Sequence, residues 1–544
     1  MSNAANIVQV IYVAVGLTLR LVGFMAGTTD TATDQPHVMA TTNQIIIAVH
    51  NETAASLGVA ELAPYQAIEE VANAPEIAHT KRGRRFTIII PRFDGPRDRL
   101  YSGFVVFKNV QRSAFDTNLV RMPIDGIHFV EYMRGISKYN EPFPRVASKK
   151  GLQVQMVDDA IALGVKHAAL NLDLTRLIDL SNDTNNPSWQ MDGVIYHFKR
   201  GQLQNLDDRI KPLSDAGMVV TVILLDYQSG NPALDRIMLH PDFSRDAPHH
   251  LSAFNTVTPE GLRYFKAAVE FVADRYSQPK HPHGRVVNFI VGNEVNTHWY
   301  WANLGNATME KFAADYLRTV RICDIAVRKA SSTARVYISL EHHWNIRFDT
   351  PEHSFAAREF IDYFSKSAQA GGDFDWNLAF HPYPEDLRNP RTWNDKTATF
   401  DPDTPRITFK NLEMLPRYFK RKELLYHRKP RHIILSEQGF DTPQTPDGEL
   451  VQAAAYCYAY YKVARIPGID SFILHRHVDH RDEDGLNLGL WRRNLKSTSP
   501  SEPAGKKYIY EVFRQADTPQ WRKAFAFALP IIGIHDWKEI NPKN

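Results

Sequence analysis

The feature that most limits what this chain can fold into is a rhythm. From about residue 150, short apolar runs at 167–172, 218–224, 286–291, 335–340, 376–380, 432–435 and 471–474 alternate with stretches of helical periodicity at 154–163, 206–216, 261–276, 309–330 and 450–464. Strands joined by helices of that length need crossover connections, and so form a parallel sheet covered on both faces. Seven such strands, with a first that no apolar run marks, make a (β/α)8 TIM barrel the economical α/β fold. An open doubly wound sheet is the alternative, but no Gly-rich phosphate loop follows any of the runs.

Ahead of residue 130 the pattern is different. The runs at 45–49, 86–90 and 103–107 are short and separated by turns such as Asp94-Gly95-Pro96, the signature of a β-sandwich-like domain. The expected organisation is therefore a β-sandwich-like accessory domain over 1–130, a catalytic barrel over 131–515, and a C-terminal extension over 516–544 packed on the barrel or the β-domain. Bracing is the default role for the β-domain. Residues 7–27 are apolar enough to suggest a signal peptide or a membrane span. No basic segment precedes them, however, Arg20 interrupts the run, and Leu17, Leu19 and Leu21 alternate with Thr18 and Arg20, so a β-hairpin around Val15-Gly16 fits better. The leading Met-Ser-Asn-Ala resembles an appended remnant. An exported protein, periplasmic or extracellular, is the expectation, its native signal having been cut away before that remnant was added.

Composition narrows the partner. A chain that is 43% hydrophobic and 23% charged is globular. The 64 Lys and Arg against 61 Asp and Glu leave a net charge of +3, too little for the positive field that nucleic-acid binding needs. The basic cluster Lys81-Arg82-Gly83-Arg84-Arg85 reads as a solvated turn. Cys323 and Cys457 each lie in an apolar helical pattern and read as free core thiols.

Barrel enzymes place their chemistry at the C-terminal ends of the strands. The run 286–291 ends in Gly292-Asn293-Glu294-Val295-Asn296, and the run 432–435 ends in Ser436-Glu437-Gln438-Gly439-Phe440. Two carboxylates thus terminate two strands on opposite sides of one expected pocket. Such a pair suits glycosidic cleavage, one carboxyl protonating the leaving oxygen while the other attacks the anomeric carbon or activates water there. The acid must keep its proton and the nucleophile must stay ionised, which needs different surroundings. Asn293 supplies an amide for a sugar hydroxyl, and Tyr383 a hydrogen bond that keeps Glu437 anionic. Either Glu taken alone could instead be the buried partner of an Arg.

Asn293-Glu294 after the fourth strand, His381-Pro382-Tyr383 after the sixth and Glu437 after the seventh resemble the retaining glycoside hydrolases of clan A. By that resemblance Glu294 is the acid/base, Glu437 the nucleophile, and Asn293 and Tyr383 their supports. The clan often carries an Arg near the end of strand two and a Trp on strand eight; here these places hold Asn171-Leu172-Asp173, with Arg176 later, and His475-Arg476-His477. The segments Glu61-Leu62-Ala63-Pro64-Tyr65, Pro91-Arg92-Phe93-Asp94-Gly95, Asp98-Arg99-Leu100-Tyr101-Ser102 and Lys149-Lys150-Gly151-Leu152, with the two Glu motifs, are similar to a bacterial glycoside-hydrolase-like family of unknown function, often exported.

Sugar rings also need aromatic platforms. Trp299, Trp301, Trp344, Trp393 and Trp491 are candidates, Trp299 and Trp344 following strand ends. His298, His342, His343, His381 and Asn171 are candidate hydroxyl partners, and Asp479 and Asp484 orient hydroxyls or solvate a loop. The polar residues 384–405 read as a long loop after strand six. Two rival readings stand beside the glycosidase: a metal-dependent barrel hydrolase built on His475, His477, His342, His343 and His381, and a non-catalytic carbohydrate-binding barrel. The double displacement itself requires no metal or organic cofactor. Carbohydrate is the expected partner, with no nucleic acid and no membrane span, and a retaining pair should stand roughly 5–5.5 Å apart.

Overall fold

The computed structural model of the protein describes residues 35–51, 55–111 and 119–542, so the hairpin expected at Val15-Gly16 falls outside them. The chain divides into two compact units, one made of Met1–Ile136 with Met191–Gly193 and Ala368–Phe374, the other of the remainder.

The first unit carries two four-stranded sheets. In one, Gln44–His50 pairs antiparallel with both His37–Ala40 and Arg85–Pro91, while Val130–Met133 joins His37–Ala40 in parallel. Ile45, Ile47, Ile88 and Ile90 are buried, and the residues between them are more exposed, as a strand period of two dictates. In the other, Gly58–Leu62 lies between Glu76–His79 and Gly103–Gln111, with Ala60, Leu62, Val105 and Phe107 in its core. The charged motif residues here are structural. Arg92 grips Asp98 through two bonds of 2.8 and 2.5 Å, and Arg97 and Arg99 close on Glu61 at 2.7 and 2.9 Å. The basic turn Lys81-Arg82 is exposed ahead of Arg85–Pro91.

The second unit is the barrel. Its strands are β1 (Lys150–Gln153), β2 (His167–Asp173), β3 (Val219–Leu225), β4 (Asn288–Val291), β5 (Arg335–Glu341), β6 (Trp376–His381), β7 (Ile433–Gln438) and β8 (Ser471–Leu474). All neighbours pair in parallel, and β1 closes on β8. The (β/α)8 expectation holds, and the unmarked first strand is β1. Helices follow the strands as α1 (Val157–Ala162), α2 (Arg200–Asp215), α3 (Pro259–Arg275), α4 (Met309–Ala330), α5 (Ala357–Ala370), α6 (Met414–Tyr418), α7 (Gly448–Arg465) and α8 (Tyr508–Gln515). Their starts are written locally. Thr258 and Thr308 accept the third helical N–H of α3 and α4, and Pro259 sets the first turn of α3. Residues 516–542 continue as short helices that pack on α7, where Tyr461 stacks on Trp537 at 5.2 Å. Among the described residues no helix is long and apolar enough to cross a membrane. Cys323 and Cys457 are buried and free.

Inside the barrel, Ala169, Ile223, Ile290, Tyr337, Ala379, Ile434 and Ile473 form one apolar layer, one residue from each of seven strands. Side chains two residues on point the same way, and there five of the seven strands turn polar with Asn171, Ser339, His381, Ser436 and His475, while β3 carries Leu225 and β4 ends in Gly292. An apolar plug is thus roofed by a polar floor at the C-terminal mouth. On the outer face, Trp376 of β6 is fully buried, edge-on to Phe364 of α5 at 5.2 Å and beneath the Arg431 guanidinium at 3.9 Å. Truncating so large a buried ring should cost about 3–5 kcal/mol. Trp376→Ala is expected to show that loss in urea unfolding of the intact chain, and a loss under about 1 kcal/mol would contradict this packing.

Candidate active site

Glu294 sits just past β4, and its placement depends on two left-handed backbone positions. Gly292 has φ +73° and Glu294 itself φ +39°, a region that costs a residue bearing a Cβ about 1–2 kcal/mol. The strained turn is pinned where it bends: the Glu294 N–H donates to Ser339 Oγ of β5 at 3.0 Å, and Tyr316 of α4 donates its hydroxyl to the Val291 carbonyl at 2.6 Å.

Glu437 reaches the mouth by a different device. Strict alternation from Ile434 would send Ser436 inward and Glu437 out of the barrel. The pairing of β7 with β8 slips by a residue between Leu435 and Gln438, and such a bulge re-aims side chains. Glu437 accepts the Tyr383 hydroxyl at 3.2 Å. One oxygen of Glu294, one of Glu437 and a ring nitrogen of His381 all lie within 4.8 Å of one another.

His381 joins the two halves of the mouth. Its Nδ1 is 2.8 Å from Glu294 Oε1 and its Nε2 is 2.9 Å from Ser436 Oγ, and ring and serine are both buried. Burial pushes the Glu294 carboxyl above its ordinary range; the charges of Glu437 and Glu341 push the same way, against the His381 contact. Burial works against charge on His381, but the Glu294 contact and the carboxylates of Glu437 and Glu341 outweigh it and raise the imidazole. Ser436, His381 and Glu294 share the connectivity of an acyl-transfer triad, but the Ser436 hydroxyl is shut off from any substrate.

Beside this pair lies a second carboxylate knot. Glu341 Oε1 takes the Asn296 amide at 2.5 Å, and Oε2 takes the His343 ring at 2.5 Å and its N–H at 3.1 Å. Burial alone would raise Glu341, yet His343 and His342 bring it down to about 2. Arg406 Nη2 faces the other His343 nitrogen at 3.2 Å.

The remaining expected site residues divide. Asn171 is exposed on the floor of the mouth and accepts from Gln153 at 3.1 Å. Asn293 is half-buried beside Glu294. His298 belongs to the core, lying between Phe312 and Phe355 and bonded to the Glu352 carbonyl at 2.9 Å; burial drives its imidazole down to about 3. Trp344 is also core, edge-on to Phe380 and Tyr418. Trp299 stacks on His353 at 4.0 Å, Trp393 lies against Tyr458, and Trp491 donates to Asp159 at 2.9 Å. Asp479 is taken by Lys507 at 2.7 Å, and Asp484 is exposed.

Of the histidines expected for a metal centre, His342 and His343 group with Glu341, and His381 groups with Glu294 and Glu437, the ligand atoms of each group lying within 4.8 Å of one another. His475 lies between Gln153 and Glu483, and His477 accepts two backbone N–H groups and donates to Asp159 at 2.9 Å. Both nitrogens of His381 are engaged as well. Among the described residues, Trp301 and Tyr227 are partly buried aromatics packed against the barrel core, Trp301 in parallel stacking with His249 at 4.2 Å. Trp301 was one of five tryptophans the sequence offered without ranking it first, and Tyr227 carried no local signal. Tyr383 is covered by Leu486 and Leu488 of the loop after β8.

Comparison with known proteins gives a family but no activity. DUF5722, a family of unknown function, matches residues 142–540, and no curated protein matches. Solved structures similar to this chain include a family 39 glycoside hydrolase from Bacteroides cellulosilyticus WH2, 12% identical over 88% of this chain and 82% of that one with a TM-score of 0.42. A β-glucosidase from Pyrococcus furiosus is 13% identical over 69% and 86% with a TM-score of 0.42, and a family 1 β-glucosidase from Thermotoga maritima is 12% identical over 68% and 85% with a TM-score of 0.40. At such scores no chemistry is transferred from them.

The strain at Glu294 yields a stability prediction. Glu294→Gly relieves the left-handed backbone, whereas Glu294→Ala keeps it, so the glycine variant should be the more stable by about 1 kcal/mol. Equal stabilities in paired thermal or urea unfolding would contradict the left-handed placement.

Proposed function

The chain belongs to the DUF5722 family, and we propose that it is a retaining glycoside hydrolase, cleaving O-glycosidic bonds of a polysaccharide or oligosaccharide by double displacement. The observation that carries the reading is the approach of Glu294 and Glu437 to within 4.8 Å at the barrel mouth. This falls on the side of retaining pairs, roughly 5–5.5 Å apart, and not of inverting pairs, which leave roughly 6.5–9.5 Å for a water.

The surroundings support a division of roles. Glu294, whose carboxyl is raised by burial, is the acid that protonates the leaving oxygen. Glu437, held by the Tyr383 hydroxyl, attacks the anomeric carbon as the glycosidic bond breaks, giving a glycosyl ester. Water then gives its proton to Glu294 and its oxygen to the anomeric carbon, freeing Glu437. Asn171 and Asn293 are suited to sugar hydroxyls, and Trp301 and Tyr227 to ring faces. Near-neutral net charge agrees with a partner recognised through hydroxyls.

The test is a broad glycan panel read by released products, with wild type beside two variants. Wild type should release sugar from at least one glycan, and Glu437→Ala should release none. Glu294→Gln should lose about 10²–10⁴-fold on natural glycans while sparing aryl glycosides whose leaving group needs no proton. Full turnover by Glu437→Ala would overturn the reading, as would glycan binding by wild type without turnover, which would mark a carbohydrate-binding barrel.

A further inference from the structure

The site holds a buried hydroxyl that takes no part in bond breaking: Ser436, next to Glu437 in sequence and wholly enclosed. Its hydroxyl bonds to His381 Nε2 at 2.9 Å and, among the described residues, is given no other partner. On the far side of the ring, Nδ1 lies 2.8 Å from Glu294 Oε1.

Counting donors and acceptors fixes the proton positions. A buried O–H needs an acceptor and a buried carboxyl oxygen needs a donor, because an unmet buried group keeps the full penalty of leaving water. If His381 carried its proton on Nε2, the ring would donate to Ser436 and leave the serine proton with no acceptor. Its bare Nδ1 would then take the proton of Glu294, the one the leaving group must receive. If the proton sits on Nδ1, both ends are met: Ser436 donates into Nε2, and Nδ1–H donates to Glu294 Oε1. Should the ring become an imidazolium, the serine oxygen accepts the second N–H and Nδ1–H still faces Glu294.

We propose that Ser436 is a positioning residue: its buried hydroxyl holds His381 as the Nδ1–H tautomer, so that the transferable proton of Glu294 is kept on Oε2, the oxygen that His381 does not take. The inference rests on Glu294 being the acid/base. In the first step the Oε2 proton passes to the leaving oxygen as Glu437 forms its bond to the anomeric carbon. In the second step the water proton returns to Oε2 as the ester to Glu437 breaks. Nδ1–H stays on His381 throughout, offsetting the charge that Glu294 gains and loses. Among the described residues, the charged groups that act most strongly on the ring are Glu294 beyond β4, Glu341 of β5 and Glu437 of β7, all acidic.

Two measurements on the full chain test this. Nitrogen-15 NMR of histidine-labelled wild type, assigned by the loss of a signal in His381→Gln, should show neutral His381 with Nδ1 protonated and Nε2 bare. An Nε2–H tautomer overturns the proposal whether or not a substrate has been found. In kinetics, Ser436→Ala should lose about 10–100-fold in kcat/KM, the range typical of removing such an outer support, on glycosides with poor leaving groups. On activated aryl glycosides it should stay within about threefold, and Ser436→Thr should restore the loss. A loss equal for both leaving groups would mean that Glu437 had been displaced and would overturn the proposal, as would Ser436→Ala with unchanged leaving-group dependence. If the glycan panel yields no hydrolysis while the tautomer is as stated, the assigned activity fails and the hydrogen-bond geometry stands.

Discussion

Two carboxyl groups within 4.8 Å cannot both carry charge cheaply away from water. At an effective dielectric of about 20, two full charges at that distance repel by roughly 3 kcal/mol, so the mouth of this barrel has to settle which group keeps a proton. The rest of the site follows from that constraint. Burial raises Glu294, while the Tyr383 hydroxyl at 3.2 Å offers Glu437 the donor a carboxylate needs. His381 stands between the two and exchanges a hydrogen bond with the first. Glu341, a third acid close by, is kept ionised by its own histidine and asparagine and so does not draw on the same proton.

The backbone that produces this arrangement departs from regular geometry where chemistry needs it. The left-handed turn at Glu294 and the extra residue in β7 both break the strand period, and each does so at a carboxylate. Such features cost stability and persist where the surroundings over-determine them: Ser339 and Tyr316 pin the turn at Glu294 over the apolar layer beneath. Above it, the loop after β8 lays Leu486 and Leu488 on Tyr383, while Glu483 ties His475 and Arg476 to the same loop. Burial would raise Glu483, but those two partners bring it down to about 2.

Much of this was legible in the sequence because strand and helix periods differ, and because polar residues directly after an apolar run stand out. Seven strands, α4 to the residue, and the two Glu at strand ends could be read that way. β1 could not, since it begins with Lys150, which reads as surface but is buried with its amine on the Ala516 carbonyl at 3.1 Å; burial lowers that amine to about 8. Direction in loops was equally hidden. His298 and Trp344 follow strand ends as mouth residues do, yet their chains turn back into the helix layer, whereas Trp301, three residues after His298, borders the barrel core. Ser436 carries no signal of its own in the sequence; its place two residues past Ile434 and the ring of His381 across from it give it a partner.

The central claim is that Glu437 makes a covalent bond to the sugar while Glu294 handles the proton. The direct measurement is mass spectrometry of the intact chain, then of its peptides, after incubation with a 2-deoxy-2-fluoro glycoside of the sugar that the protein releases. The account predicts one adduct per chain, carried by the peptide containing Glu437 and lost on prolonged turnover. An adduct on any other residue, or no adduct together with a first product of inverted configuration, would contradict it.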